Sequence, residues 1–238
     1  MIPPAGAVLL DIEGTTSPVT FVYDVLFPYA RRHVGAFLSR HQASPDVAAD
    51  IRALRLEHER DTAEGRRPPA WPSQAEAEGA AAYALWLMDQ DRKATPLKSL
   101  QGKIWEAGYA AGELKGEVYP DVPRAFRAWR GDGRTIAIFS SGSVLAQKLL
   151  FGHSTAGDLS PYIAAYFDTT TGAKREAESY RAIARHLDRA AEGVLFVSDV
   201  GEELDAARAA GMRTALCVRE GPLPAASPHE VVRTLDGI

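Results

Sequence analysis

The sequence holds a single cysteine, Cys217, among 238 residues. No intrachain disulfide can form, so an oxidising compartment is not required. The setting of that cysteine, Ala215-Leu216-Cys217-Val218, is that of a buried strand position and not of a reactive thiol. Long apolar runs are missing too, since nothing approaches the roughly 20 residues that span a bilayer. The N-terminal Met1-Ile2-Pro3-Pro4-Ala5-Gly6 carries no basic region ahead of its short apolar run, so no secretion signal is expected and a cytoplasmic location is. Neither sign of charge dominates. With 27 Lys and Arg against 31 Asp and Glu, the net charge is -4 and the pI about 5.9, which leaves no general attraction to nucleic acid or anionic lipid. Any bound anion must be held by local groups. The six histidines show no His-x-His or His-Glu-x-x-His spacing, and neither a Gly-x-Gly-x-x-Gly nor a P-loop lysine motif is present. A zinc hydrolase, a dinucleotide enzyme and a P-loop NTPase are therefore disfavoured. No internal repeat stands out.

What is present is an ordinary globular composition, 46% apolar and 24% charged, long enough for one large domain or a core with an insertion. Three segments share a pattern in which a short apolar run gives way abruptly to small, hydroxyl and acidic residues. They are Val8-Leu9-Leu10 into Asp11-Ile12-Glu13-Gly14-Thr15-Thr16, Ile136-Ala137-Ile138-Phe139 into Ser140-Ser141-Gly142-Ser143, and Val194-Leu195-Phe196-Val197 into Ser198-Asp199-Val200-Gly201. Continuous apolar runs separated by helical patterns predict buried strands of a parallel sheet. Ala215 to Val218 predicts an edge strand, and Tyr166-Phe167-Asp168 a weaker one. Ligands of open α/β sheets bind outside the carboxyl ends of the strands, where all three polar clusters fall.

About 120 residues separate the first two strands, far more than a crossover needs, so a folded insertion is expected there. Ser44-Pro45 predicts a helix start, with Ser44 as N-cap and Pro45 in the first turn, and with Val47, Ile51 and Leu54 on one face. Ser73 with Glu76 forms a candidate capping box before Ala81, Leu85 and Met88, and Thr95-Pro96 repeats the helix start ahead of Leu100, Ile104, Ala107, Ala111 and Leu114. With Phe21 to Leu38 this makes about four helices. The expected organisation is an α/β core of residues 1-18 and 116-238, with residues 19-115 as a helical cap.

Each polar cluster admits two chemistries. Asp11 and Glu13, two positions apart at a strand end, suit a nucleophile with a proton donor or metal ligand, or simply cap the amides of a turn. Ser140 to Ser143 before a helix offers hydroxyls and amides for a phosphate or oxyanion, or N-capping by Ser141 or Ser143. Asp199 suits a divalent cation, with Glu203 one helical turn on to support it, or else an N-cap. Lys174, one of six lysines, taken alone reads as a solvated surface charge. His153 is a structural residue or a substrate neighbour, and Phe21, Tyr23, Phe27 and Tyr29 are core or substrate contacts. The joint order of the four motifs, each at a strand end, favours the chemical readings together.

That order resembles the haloacid dehalogenase superfamily from Ala7 to about Val218. The resemblance implies a Rossmann-like parallel sheet core with an inserted helical cap, Asp11 as nucleophile, Ser140 as phosphate-binding hydroxyl with Ser141 beside it, Lys174 as the neutralising charge and Asp199 as the metal acid. The usual first motif has Asp where this chain has Glu13. The wider strings Asp11-Ile12-Glu13-Gly14-Thr15-Thr16, Asp24-Val25-Leu26-Phe27-Pro28-Tyr29-Ala30, Ser140-Ser141-Gly142-Ser143, Gln147-Lys148-Leu149-Leu150-Phe151-Gly152-His153-Ser154 and Gly172-Ala173-Lys174 resemble the enolase-phosphatase family of methionine salvage, in which that Glu is expected. This implies a magnesium-dependent hydrolase that enolises 2,3-diketo-5-methylthiopentyl-1-phosphate and then removes its phosphate, yielding the acireductone. One Mg²⁺ per subunit is implied, held by Asp11, a Glu13 oxygen and Asp199. The expected partner is a small phosphorylated molecule, with no nucleic acid and no membrane, and the chain is expected to be a monomer. Another magnesium-dependent phosphatase of the superfamily, lacking enolase activity, is the alternative; an inactive binding protein on this fold is disfavoured by the retained acids and lysine.

Overall fold

The computed structural model of the protein describes residues 5–238. The chain divides into two compact units, one of residues up to Val22 and from Lys115 onward, the other Tyr23–Leu114.

The first unit is a parallel sheet flanked by helices. Its strands are β1 (Ala7–Leu10), β2 (Thr135–Phe139), β3 (Ala165–Phe167), β4 (Val194–Ser198), β5 (Arg213–Cys217) and β6 (Glu230–Val232), in the order β3-β2-β1-β4-β5-β6. All five pairings are parallel. The apolar runs read from the sequence are the central strands, and every residue of β1 and β4 is buried because helices cover both faces. Between the sheet and its helices lies a core that includes Leu9, Phe139, Phe196, Tyr180, Ile183 and Leu204. The Tyr180 ring stands edge-on to Phe139 with centroids 5.6 Å apart. Cys217 is buried as expected, and burial pushes its thiol up to about 11.

The register places the chemistry. Leu10 pairs with Ile138 on one side and Val197 on the other, so the polar residues that follow β1, β2 and β4 emerge level with one another. The chain runs outward from β1 through β2 to β3 and then returns to β4 on the opposite side of β1. The crevice of this reversal lies at the carboxyl ends of β1 and β4.

The expected edge strand is not an edge. β5 is flanked by β4 and by β6, and β6 was missed because Glu230-Val231-Val232 is too short and too exposed to show an apolar run.

The second unit contains a π-helical turn reaching Leu26 and four helices, α1 (Phe27–His41), α2 (Pro45–Ala63), α3 (Glu76–Asp89) and α4 (Thr95–Ala110). Proline near the first helical position starts α1, α2 and α4, where its missing N–H costs no hydrogen bond. Two expected caps are absent. Ser44 precedes α2, but its hydroxyl donates to the His41 carbonyl instead of accepting from the helix. The Ser73–Glu76 capping box does not form, because α3 begins at Glu76 itself, whose carboxylate accepts from Arg55 Nη1 at 2.9 Å and Trp71 Nε1 at 3.2 Å. Fully buried Asp61 ties α2 to α3 by accepting from the Tyr83 hydroxyl at 2.6 Å, with Arg66 and Arg92 balancing its charge. Of the four aromatic candidates, Phe21 and Tyr29 are buried and the Tyr29 hydroxyl donates to Glu113 at 2.7 Å, whereas Tyr23 is 61% exposed. The core unit adds α5 (Val122–Gly131), α6 (Val144–Gly152), α7 (Ala177–His186) and α8 (Gly201–Ala209). Among the described residues no helix is long and apolar enough to cross a membrane.

Candidate active site

The loop after β1 closes on itself. The Ile12 carbonyl accepts from the amides of Thr15, Thr16 and Ser17, and the Gly14 amide donates to the Ser17 carbonyl at 2.9 Å. Gly14 has a φ of +72°, and a Cβ there would meet the Asp199 carboxylate, so glycine is required by conformation and by space together.

Asp11 is 2% exposed and its carboxylate is fully engaged. Its Oδ1 accepts from the Ile12 amide at 2.8 Å and from Lys174 Nζ at 2.6 Å, and Oδ2 accepts from the Ser198 hydroxyl at 3.2 Å. Lys174 is therefore no surface charge. Its side chain is 9% exposed, it also pairs with Glu203 at 2.7 Å, and these two carboxylates raise its pKa even though burial opposes the charge. α7 holds the lysine's backbone, with Ser179 Oγ donating to the Ala173 carbonyl at 2.7 Å and the Tyr180 hydroxyl to the Lys174 carbonyl at 2.6 Å.

Ser140 follows β2, and its hydroxyl donates to Glu13 Oε2 at 3.3 Å while accepting from the Gly142 amide at 3.0 Å. Buried Gln147 fastens this turn by donating to the carbonyls of Gly142 and Phe167, both at 2.8 Å. Ser143 is the N-cap of α6, accepting from the Ala146 amide at 3.3 Å. Ser141 lies exposed in the same turn. Asp199 follows β4 and is not a cap, since Val200 holds that position at α8 without a side-chain bond. His153 follows α6 as its C-cap, exposed, with its carbonyl accepting from the Gly116 amide.

The structure thus gathers Asp11, Glu13, Ser140, Lys174 and Asp199 at one end of the sheet, with Ser141 on the adjoining turn. It moves Glu203 from where the sequence put it, because this residue bonds Lys174 and Ser198 instead of supporting Asp199. Ser198 itself was overlooked, although a hydroxyl closing a buried apolar strand beside Asp199 was a usable signal.

Four acids, Asp11, Glu13, Asp199 and Glu203, share one ammonium. Burial first and then the Asp11 charge raise Glu13 and lift Glu203 to about 7, and they push Asp199 up as well, although that residue is the most exposed of the four. Such an excess of hard oxygen donors over positive charge suits a divalent cation. Among the described residues no three His, Cys, Asp or Glu side chains form a metal cage. Mg²⁺ does not need one, being held by one or two carboxylates with waters and substrate oxygens. The residues present fit that ion.

A parallel sheet with paired acids after β1, a hydroxyl after β2, a buried lysine after β3 and an acid after β4 defines a haloacid dehalogenase-like hydrolase, and the sequence model of that family matches residues 5–211. Proteins named enolase-phosphatase E1 are similar to nearly the whole chain. That of Synechococcus elongatus is 56% identical over 90% of this chain and 88% of its own, and that of Azotobacter vinelandii 51% over 92% and 91%. The solved structure of the Unknown transcript 4 protein of Saccharomyces cerevisiae superposes with a TM-score of 0.78 at 33% identity, covering 98% of this chain and 100% of that one. A haloacid dehalogenase-like phosphatase from Thermococcus onnurineus, at 21% identity and a TM-score of 0.58 over 96% and 94%, shares the fold. The chain belongs to the enolase-phosphatase family of haloacid dehalogenase-like hydrolases.

Proposed function

We propose that this enzyme enolises 2,3-diketo-5-methylthiopentyl-1-phosphate and hydrolyses the resulting enol phosphate to the acireductone 1,2-dihydroxy-3-keto-5-methylthiopentene, a step of methionine salvage. The observation that carries the reading is the Asp11 carboxylate, fixed from three sides at the β1 end, with the Lys174 ammonium as one of the three partners. Phosphoryl transfer asks mainly for alignment and charge neutralisation: the three bonds to Asp11 serve the first, and Lys174 together with a bound divalent cation would serve the second.

In the hydrolytic half, an Asp11 oxygen attacks phosphorus in line as the bond to the enol oxygen breaks, leaving an aspartyl-phosphate. Lys174 and Ser140, with the exposed hydroxyl of Ser141, hold the non-bridging oxygens. Glu13, whose pKa is raised by burial and then by the Asp11 charge, is the group that gives a proton to the leaving oxygen. It then takes a proton from the water that attacks phosphorus and releases Asp11. Asp11, Asp199 and a Glu13 oxygen would hold Mg²⁺, which when bound shields the phosphate from the surrounding carboxylates and polarises the diketone.

The same proposal assigns residues 1-18 and 116-238 to the phosphotransferase core and 19-115 to the cap, and describes a cytoplasmic monomer whose partner is the small phosphorylated substrate. The test is phosphate release from the diketone phosphate and from a panel of sugar phosphates with Mg²⁺. The diketone phosphate should be strongly preferred, and Asp11→Asn should abolish release while circular dichroism stays unchanged. Equal turnover across the panel would make the chain a general phosphatase, and normal turnover by the folded variant would remove Asp11 as nucleophile.

A further inference from the structure

In the loop carrying Asp11 and Glu13 the amides of Gly14 to Ser17 bond to the Ile12 and Ser17 carbonyls, which fixes its shape, while the Asp11 amide ties only its first residue to the sheet by donating to the Val197 carbonyl at 3.0 Å. Two further carbonyls of the loop, those of Thr15 and Thr16, reach outward. The Thr16 carbonyl accepts from the Tyr119 amide at 3.0 Å. The Thr15 carbonyl, on a fully buried residue, accepts from Arg219, whose Nε lies 2.9 Å away and whose Nη2 also donates.

Arg219 stands just beyond the end of β5 and is itself held on several sides. Its Nη1 donates to Asp121 Oδ2 at 2.7 Å, and the guanidinium carbon lies 4.2 Å from the Tyr119 ring centroid. The ion pair is nearly buried, with side chains 8% and 5% exposed. Asp121 Oδ2 in turn accepts from the Leu235 amide at 2.6 Å. One planar fork therefore joins the nucleophile loop, the segment before α5 and the end of β5. Arginine alone donates in those fixed directions at once, because a lysine ammonium is a single point of charge.

We propose that Arg219 is a positioning residue for phosphoryl transfer, setting the height of the Asp11–Glu13 loop through its bonds to the Thr15 carbonyl. The proposal rests on the reading of Asp11 as nucleophile, and neither Arg219 nor Asp121 is placed among the groups that touch substrate. A loop displaced by about 1 Å would misalign Asp11 for in-line attack, a loss on the order of a hundredfold.

Two variants test it. Arg219→Lys keeps a charge facing Asp121 and removes the fork. Arg219→Met combined with Asp121→Asn removes the buried pair together, so that no lone charge is left inside, and the amide oxygen introduced by Asp121→Asn still accepts from the Leu235 amide. Each is compared with wild type for kcat and KM, on the diketone phosphate and on p-nitrophenyl phosphate, for melting temperature, and for amide hydrogen exchange in the peptide spanning residues 12-17. Expected are a kcat lowered roughly a hundredfold with KM little changed, and exchange in that peptide about tenfold faster while the sheet peptides keep their protection. Unchanged exchange in residues 12-17, or a kcat that falls only in step with melting temperature in both variants, overturns the proposal. Should wild type act on p-nitrophenyl phosphate and not on the diketone phosphate, the substrate reading fails while the exchange and p-nitrophenyl phosphate results still decide the role of Arg219.

Discussion

Gly14→Ala is the most informative small change in this site. The added methyl carries two costs that can be measured apart. A φ of +72° places an alanine in the left-handed region, a strain of roughly 1–2 kcal/mol. For a chain of this length that lowers the melting temperature by about 2–8 °C. The methyl would also stand 2.7 Å from Asp199 Cγ, with Oδ2 nearer still, so Asp199 must retreat by about 1 Å, a misplacement that costs on the order of a hundredfold in rate. Gly133 supplies the control, because it has the same φ of +72° and nothing within 4 Å of its Cβ position. Gly133→Ala should therefore show the melting shift alone. Gly14→Ala should show a similar shift, a kcat for phosphate release about a hundredfold lower, and a higher Mg²⁺ concentration for half-activation. Wild-type kcat and metal dependence in a folded Gly14→Ala protein would refute the idea that Gly14 sets the place of Asp199.

Three further outcomes are expected. Glu13→Gln keeps side-chain length but loses the transferable proton, and should slow phosphate release roughly 10²- to 10⁴-fold in a continuous phosphate assay; an unslowed variant removes Glu13 as acid and base. Lys174→Ala leaves Asp11 and Glu203 without their shared ammonium, so single-turnover release should fall on the order of 10²- to 10³-fold, and an unaltered rate would show that its ion pairs serve the fold alone. Glu203 is lifted from 4.5 to about 7 by burial and then by the Asp11 charge, so its stabilising share is complete below about 4.5 and is lost as pH rises through about 7. The melting temperature of the metal-free protein should accordingly decline over that interval, and a decline just as steep in Glu203→Gln would assign it to other groups.

The residues that were legible in advance are those whose place depends on a strand end. Asp11, Ser140 and Asp199 each follow a buried apolar run directly, and in-register parallel pairing of Leu10 with Ile138 and Val197 brings them level without long-range information. Lys174, taken alone a surface charge, was legible only through the joint order of the motifs and the resemblance, since its place depends on the bonds from Ser179 and Tyr180 that fold its loop inward. Glu203 was placed near the site by its helical spacing from Asp199, but which neighbour it bonds depends on where Lys174 arrives from another strand. Arg219 and Asp121 lie 98 residues apart and meet only in the folded chain. The failed capping box has the same origin, because Arg55 and Trp71 compete for Glu76 in three dimensions and outweigh a local pattern.

The central claim, that one site both enolises and dephosphorylates, is tested most directly by following ultraviolet absorbance and phosphate release together on the diketone phosphate with Mg²⁺. Wild type should show a transient enol phosphate absorbance followed by acireductone, with one phosphate released for each acireductone formed. Phosphate released from a substrate that remains a diketone, with no acireductone absorbance, would contradict it.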